Sequence, residues 1–176
     1  MAIVTLAEVK KQLGIDLDDT SDDSELMLYA DGATSALEEH KHEVIERREF
    51  TEQVTVGGGS VLRLSHTPVV DLVSVIGVDS GQEWDTSRLR VSPSGLVRVL
   101  SGPALVGAAE FTYAAGPAVP LPGERLAALI VIQHLWETQR GRAGAVYGGG
   151  DVIVPAGYAI PNRAAELLGA PTPVVA

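Results

Sequence analysis

The sequence predicts an α+β chain: a helical core drawn from both ends, an antiparallel β region inserted between them, and an extended C-terminal arm. Three observations point there. Helical periodicity and capping signals fill residues 1–48 and 117–141, the period changes to two between 49 and 116, and residues 142–176 are broken by glycine and proline. No helix is available inside the β stretch for crossovers, which favours an antiparallel sandwich or small barrel over a parallel sheet.

The first helix is announced by Thr5 and Glu8 at capping-box spacing, with Val4 and Val9 placed as a hydrophobic staple and Gly14 as its stop. Leu6, Val9 and Leu13 fall on one face, so this short helix must lie on something larger. An acidic loop follows from Asp16 to Asp23. Asp22 and Glu25 again have cap spacing, and a longer second helix is expected to run to about Val44 with Leu26, Tyr29, Ala30, Ala33 and Leu37 as its buried stripe. Val54 and Val56, then Val61, Leu62 and Leu64, alternate about the glycines at 57–59 and predict a hairpin. Leu72–Val78, Arg88–Val91, Leu96–Leu100 and Glu110–Ala114 continue as short strands, five or six in all. Pro117, Pro120 and Pro122 close the region, and a third helix, Glu124–Arg140, is apolar all round in its first half and extends its stripe to Trp136. A glycine-rich loop, Gly141–Gly150, an apolar but broken stretch, Asp151–Tyr158, and a short helix from Pro161 with Leu167 and Leu168 on one side complete the chain.

The 176 residues contain 13 basic and 23 acidic side chains, a net charge of -10, so a general grip on nucleic-acid phosphates is not expected. The acidity is local: residues 1–53 carry 5 basic against 14 acidic residues, residues 54–123 carry 4 against 5, and the rest balance. The absence of cysteine excludes disulfides, thiolate metal sites and thiol nucleophiles from the expected chemistry and suits a reducing cytoplasm. The longest strictly apolar run, Leu126–Ile132, is far short of the roughly 20 residues that span a bilayer, and the N-terminus lacks a secretory pattern, so a soluble, non-secreted protein with no membrane partner is expected.

Catalytic constellations are thin. Glu39 and His42 form Glu-x-x-His, but without the second copy and extra carboxylates of a di-iron bundle they read as a solvated acidic face, and neither metal nor cofactor is expected. His66 and His134 stand isolated in sequence, the latter reading as a structural histidine. The triple glycines at 57–59 and 148–150 lack the Lys-Ser/Thr of a P-loop, and Gly77–Gly81 lacks a nucleophile elbow. Arg63, Arg88, Arg90 and Arg98 are spread over the β region and read as ordinary strand-surface arginines rather than a nucleic-acid stripe.

Thr-Leu-Ala-Glu-Val-Lys-Lys-Gln-Leu-Gly (5–14), Asp-Asp-Ser-Glu-Leu (22–26), Tyr-Ala-Ala-Gly (113–116), Leu-Trp-Glu-Thr-Gln-Arg-Gly (135–141) and Tyr-Ala-Ile-Pro-Asn-Arg (158–163) occur in an order that resembles the head-tail connector (adaptor) proteins of long-tailed bacteriophages. The resemblance spans nearly the whole chain. It implies a structural protein of the virion neck, assembled in the host cytoplasm, with no reaction to catalyse. In such a protein about twelve copies close a homo-oligomeric ring under the portal protein, meet a downstream head-completion or tail protein, and let double-stranded DNA pass without specific binding. On that expectation Leu129, Ile132, Trp136 and Arg140 are candidates for the subunit interface. Ile153, Val154, Tyr158, Ile160, Pro161, Arg163, Leu167 and Leu168 are candidates for docking the portal, and Glu38, Glu39 and Glu43 for facing the DNA channel. Family members of this type are mainly helical, so the β stretch is a departure. The rivals are another neck or tail-completion protein and a metal-dependent enzyme built on the β region.

Overall fold

A computed structural model describes residues 2–57, 61–139 and 160–170. They form four helices and six strands in two compact units, one made of Met1–Lys41 and Leu121–Pro173, the other of His42–Pro120.

The helical unit contains α1 (Leu6–Leu13), α2 (Asp23–Lys41), α3 (Pro122–Gln139) and α4 (Asn162–Leu168). At α1 the capping box is complete: Thr5 Oγ1 accepts the Glu8 N–H, and the Thr5 N–H donates to Glu8 Oε2 at 2.8 Å. Val4 and Val9 are both buried as the staple requires, and Gly14 ends the helix in the left-handed region at φ 70°. The buried stripe of α2 is the expected one with Thr34 added. Ala30 and Ala33 on α2, with Ala127 and Ala128 on α3, leave little side chain between two packed helices, and α4 lies on α3 with Ala164 and Leu168 turned inward. Two lysines are drawn into this unit. Lys10 is almost wholly buried, 2.6 Å from Asp23 Oδ1, and donates to the carbonyls of Leu17 and Asp19, so it pins the acidic loop between α1 and α2. Lys41 donates to Glu124 Oε1 at 2.6 Å, and Glu124 Oε2 accepts the Leu121 N–H at the start of α3.

The second helix stops three residues short of expectation. His42 takes φ 57°, a positive value that interrupts the helical path after Lys41, so Glu43 and Val44 lie beyond it.

The β unit holds β1 (Arg48–Gly57), β2 (Val61–Arg63), β3 (Val69–Gly77), β4 (Leu89–Val91), β5 (Leu96–Val99) and β6 (Val106–Ala115). All pairings are antiparallel, in two three-stranded sheets ordered β1-β6-β3 and β2-β5-β4. The expected hairpin across the glycines at 57–59 is not formed. β1 pairs along its whole length with β6, from Arg48 opposite Ala115 to Gly57 opposite Val106, while β2 pairs with β5. Alternation says which side chains turn inward; it does not say which strand lies alongside. One apolar core takes residues from both sheets, among them Val75, Phe111 and Tyr113 from the first and Val97 and Leu89 from the second. Gly116 follows β6 at φ 94°, where a Cβ would stand 2.8 Å from the Glu46 carbonyl, so only glycine lets the chain leave there.

Candidate functional site

The all-round apolar face of α3 is only partly used within the helical unit. Ala127, Ala128, Val131 and Ile132 turn inward, whereas Leu126 is exposed and Leu129, Ile130, Leu135 and Trp136 are half-buried. Leu126, Ile130, Gln133 and Glu137 repeat at i, i+4, i+7 and i+11, the spacing of one helical stripe. They form the floor of an open groove of about 450 Å³, walled by Gln12 of α1, by His134, and by Pro161 and Arg163 at the start of α4. Gln12 Nε2 donates to Gln133 Oε1 at 2.8 Å and Gln133 Nε2 to Glu137 Oε1 at 3.0 Å, which fixes the polar side of the groove.

A second surface of the same unit runs along α2. Leu28, Gly32, Ser35 and Glu39 share a stripe along α2, flanked by Met27 and Asp31, and all six are exposed. Leu28 is 69% exposed, an unusual position for a leucine on a helix whose other face is packed. The sequence predicts an acidic, solvated outer face for this helix, through Glu38, Glu39, Glu43 and Glu46, and gives no sign that Met27 and Leu28 would be exposed beside it.

The proposed site residues separate into groups. Ile132 is fully buried within its own chain, in the core of the helical unit, whereas Leu129 and Trp136 are half-buried. Leu168 is likewise buried, while Leu167 and Arg163 are exposed and Ile160 and Pro161 half-buried. Arg140, Ile153, Val154 and Tyr158 lie outside the described residues. Glu39 is exposed and Glu38 half-buried on α2, but Glu43 is not on that helix. The turn at His42 also removes Glu39 and His42 from a common helical face, and among the described residues no group of three or more His, Asp or Glu side chains is placed to hold a metal ion. His134 is exposed on the rim of the groove.

His66 is the histidine that sequence spacing misjudged. Its ring stacks on Phe50 with centroids 3.9 Å apart, and its Nδ1 is 3.0 Å from the Tyr113 hydroxyl. That hydroxyl accepts the His66 backbone N–H and bonds the Glu52 carboxylate, which also accepts the Ser65 N–H at 2.9 Å. With the single phenolic proton directed to Glu52, the ring donates to the hydroxyl oxygen through Nδ1. Burial, reinforced by the Glu52 charge, pushes the Tyr113 phenol well above its ordinary range. The group joins β1, β6 and the segment before β3, contacts separated by up to 63 residues in sequence, which is why no local motif signalled it.

The four arginines of the β region come together on one surface. Alternation turns Leu62, Val97, Leu89 and Val91 toward the core and leaves Arg63, Arg90 and Arg98 on the outer face of the β2-β5-β4 sheet, with exposed Arg88 just before β4. Arg90 and Arg98 stand directly opposite one another in register.

No protein-family model and no curated protein matches the sequence. Solved structures do. A chain of the neck of an empty gene transfer agent (GTA) particle computed with C6 symmetry aligns with 98% of this chain and 92% of its own length, at TM-score 0.69 and 19% identity. A chain of the native GTA virion matches at TM-score 0.66 and 17% identity over 98% of this chain and 92% of that one. A chain of the native GTA neck computed with C12 symmetry gives TM-score 0.66 and 17% identity over 97% and 90%. The fold is one found in GTA particles. The likeness spans the β unit as well as the helices, so the inserted sheets are part of a shared architecture.

Proposed function

We propose that this protein is a structural component of a phage-like virion neck, where copies close into a ring that joins the portal to the next neck or tail component and extends the DNA channel. The observation that carries the reading is the likeness over nearly the full length of both chains to chains from GTA particles whose necks were computed with C6 and C12 symmetry. The surfaces support it. A ring needs two different patches on each subunit, because a heterologous contact repeated by rotation closes on itself. The helical unit presents an open groove floored by Leu126 and Ile130 and, on α2, the exposed apolar pair Met27 and Leu28. In this reading Leu129 and Trp136 contribute to subunit contacts, and exposed Arg163 and Leu167, with the stretch that includes Ile153, Val154 and Tyr158, meet the portal. Glu38, Glu39 and Glu43 present like charge to passing DNA, which lets it slide without sticking.

Electron microscopy of the purified protein, alone and mixed with its portal, tests the reading. Closed rings coaxial with the portal are expected. A strict monomer that never binds portal would refute it.

A further inference from the structure

The outer face of the β2-β5-β4 sheet is an electrostatic anomaly. One row across its three strands reads Val61, Arg98, Arg90, with Arg98 paired in register to both neighbours. Arg63 lies beside it opposite Leu96, on the same face. Like charges directly opposite across a strand pair weaken a sheet, yet Arg90 and Arg98 face each other and neither makes a hydrogen bond or ion pair among the described residues. Arg88, next in line, is tied to Asp85 at 3.3 Å. A chain with net charge -10 thus gathers three of its 13 basic residues on one small sheet, with Arg88 just before it, and leaves the central pair without a partner among the described residues.

The residues between the arginines identify the kind of anion. Val61, Leu96 and Leu100 are 45%, 42% and 58% exposed on or beside this face. Arginine interleaved with aliphatic side chains is the composition of a protein contact, whereas a phosphate backbone offers nothing for the leucines to cover. The complement is present in the same sequence. The loop between α1 and α2 displays Asp16, Asp18 and Asp19 around Leu17, which is 59% exposed. It is also preformed: buried Lys10 holds the Leu17 and Asp19 carbonyls, Asp16 Oδ1 accepts the Asp18 N–H, and Asp19 Oδ1 accepts the Ser21 N–H. A pinned loop loses little conformational freedom on docking.

We infer that the arginine face of one subunit receives the acidic 16–23 loop of a second copy of this chain, so that a carboxylate array around Leu17 neutralises Arg90 and Arg98 while the leucines meet. This rests on the ring reading and names one of its subunit contacts. The contact is heterologous, as ring closure requires.

Charge exchange tests it. With wild-type rings as the reference, the double variant Arg90→Ala with Arg98→Ala should melt at the same temperature or higher as a free subunit, because the like-charge pair is gone, yet assemble at least tenfold more weakly. Arg90→Glu with Arg98→Glu should abolish rings. Adding Asp16→Arg and Asp18→Arg to that same chain should restore them, and wild-type assembly should weaken as salt is raised. Rings that persist in the Glu variant overturn the inference and leave the ring reading intact. Loss without restoration by the aspartate changes overturns the loop as partner. Duplex DNA binding that disappears in the Glu variant while rings persist assigns the face to nucleic acid instead. A wild-type protein that never forms rings, alone or on portal, removes the ring reading and this contact together.

Discussion

The two units solve the problem of a stable interior by different means. The β unit packs Phe111, Tyr113, Val75 and Val97 into one apolar core contributed by both sheets and places its polar groups, Glu52 and His66, around the Tyr113 hydroxyl at the border. The helical unit has no phenylalanine among its buried residues; its packed faces are rich in alanine, and it draws Lys10 and Glu124 inside, each with a partner of opposite charge. The contrast teaches where each is vulnerable. The sheets depend on filled volume, the helices on charges that stay paired.

Substitutions that empty volume or orphan a charge sharpen the contrast. The largest effect is expected from Phe111→Ala, which removes a fully buried ring on the central strand β6 and should destabilise the β unit by about 3–5 kcal/mol, seen as loss of its melting transition by calorimetry. Lys10→Ala should cost about 3 kcal/mol in the helical unit, because Asp23 loses its counter-ion and two loop carbonyls lose their donor; hydrogen exchange at residues 16–23 should rise with it. If Lys10→Met proves harmless, the ion pair matters less than the filled space, and the contrast between the units fails.

Tyr113→Phe should cost about 1–3 kcal/mol by leaving the His66 N–H groups and Glu52 without their hydroxyl. It also carries a pH signature. Because the folded phenol holds its proton above the ordinary tyrosine range, the unfolded chain binds fewer protons in alkaline solution, and β-unit stability should fall as pH rises above about 10. The Phe variant should lose that part of the slope. Thr5→Ala removes the reciprocal cap of α1 and should cost about 1 kcal/mol, confined to the helical unit.

The smallest expected effect is at Glu8. The Thr5 backbone N–H, with the Thr5 hydroxyl and the Arg125 guanidinium, holds this carboxyl below its usual range, so it stabilises α1 above about pH 4.5 and that contribution is lost as pH falls through its depressed value. The side chain is one-third exposed, and solvent screening keeps the effect to a few tenths of a kcal/mol. Glu8→Gln should flatten the acid limb of the helical transition slightly and leave the β transition unmoved.

Legibility in the sequence followed the range of the interactions. The cap at Thr5, the stop at Gly14, the inward stripe of α2 and the positions of six strands all depend on neighbours a few residues away, and periodicity located them. The pairing of β1 with β6 could not be located that way, because it joins residues up to 67 positions apart and nothing local distinguishes that partner from β2. The end of α2 failed for a different reason: a non-glycine residue, His42, adopts a positive φ where its type gives little warning. The surfaces follow the same rule. Arg90 and Arg98 read as scattered surface arginines until the register of β4 and β5 set them face to face, and His66 stood alone until β1 and β6 brought Phe50 and Tyr113 to it.

The long ladder between β1 and β6 has a consequence for how such a chain changes over time. Because Arg48 lies beside Ala115, the whole stretch between them enters and exits through a single doorway, like a cassette held at its neck. Its far end can be lengthened, traded or re-decorated without altering the span that the flanking polymer must bridge. Novelty at the periphery therefore leaves the separation of the two joined ends unrevised.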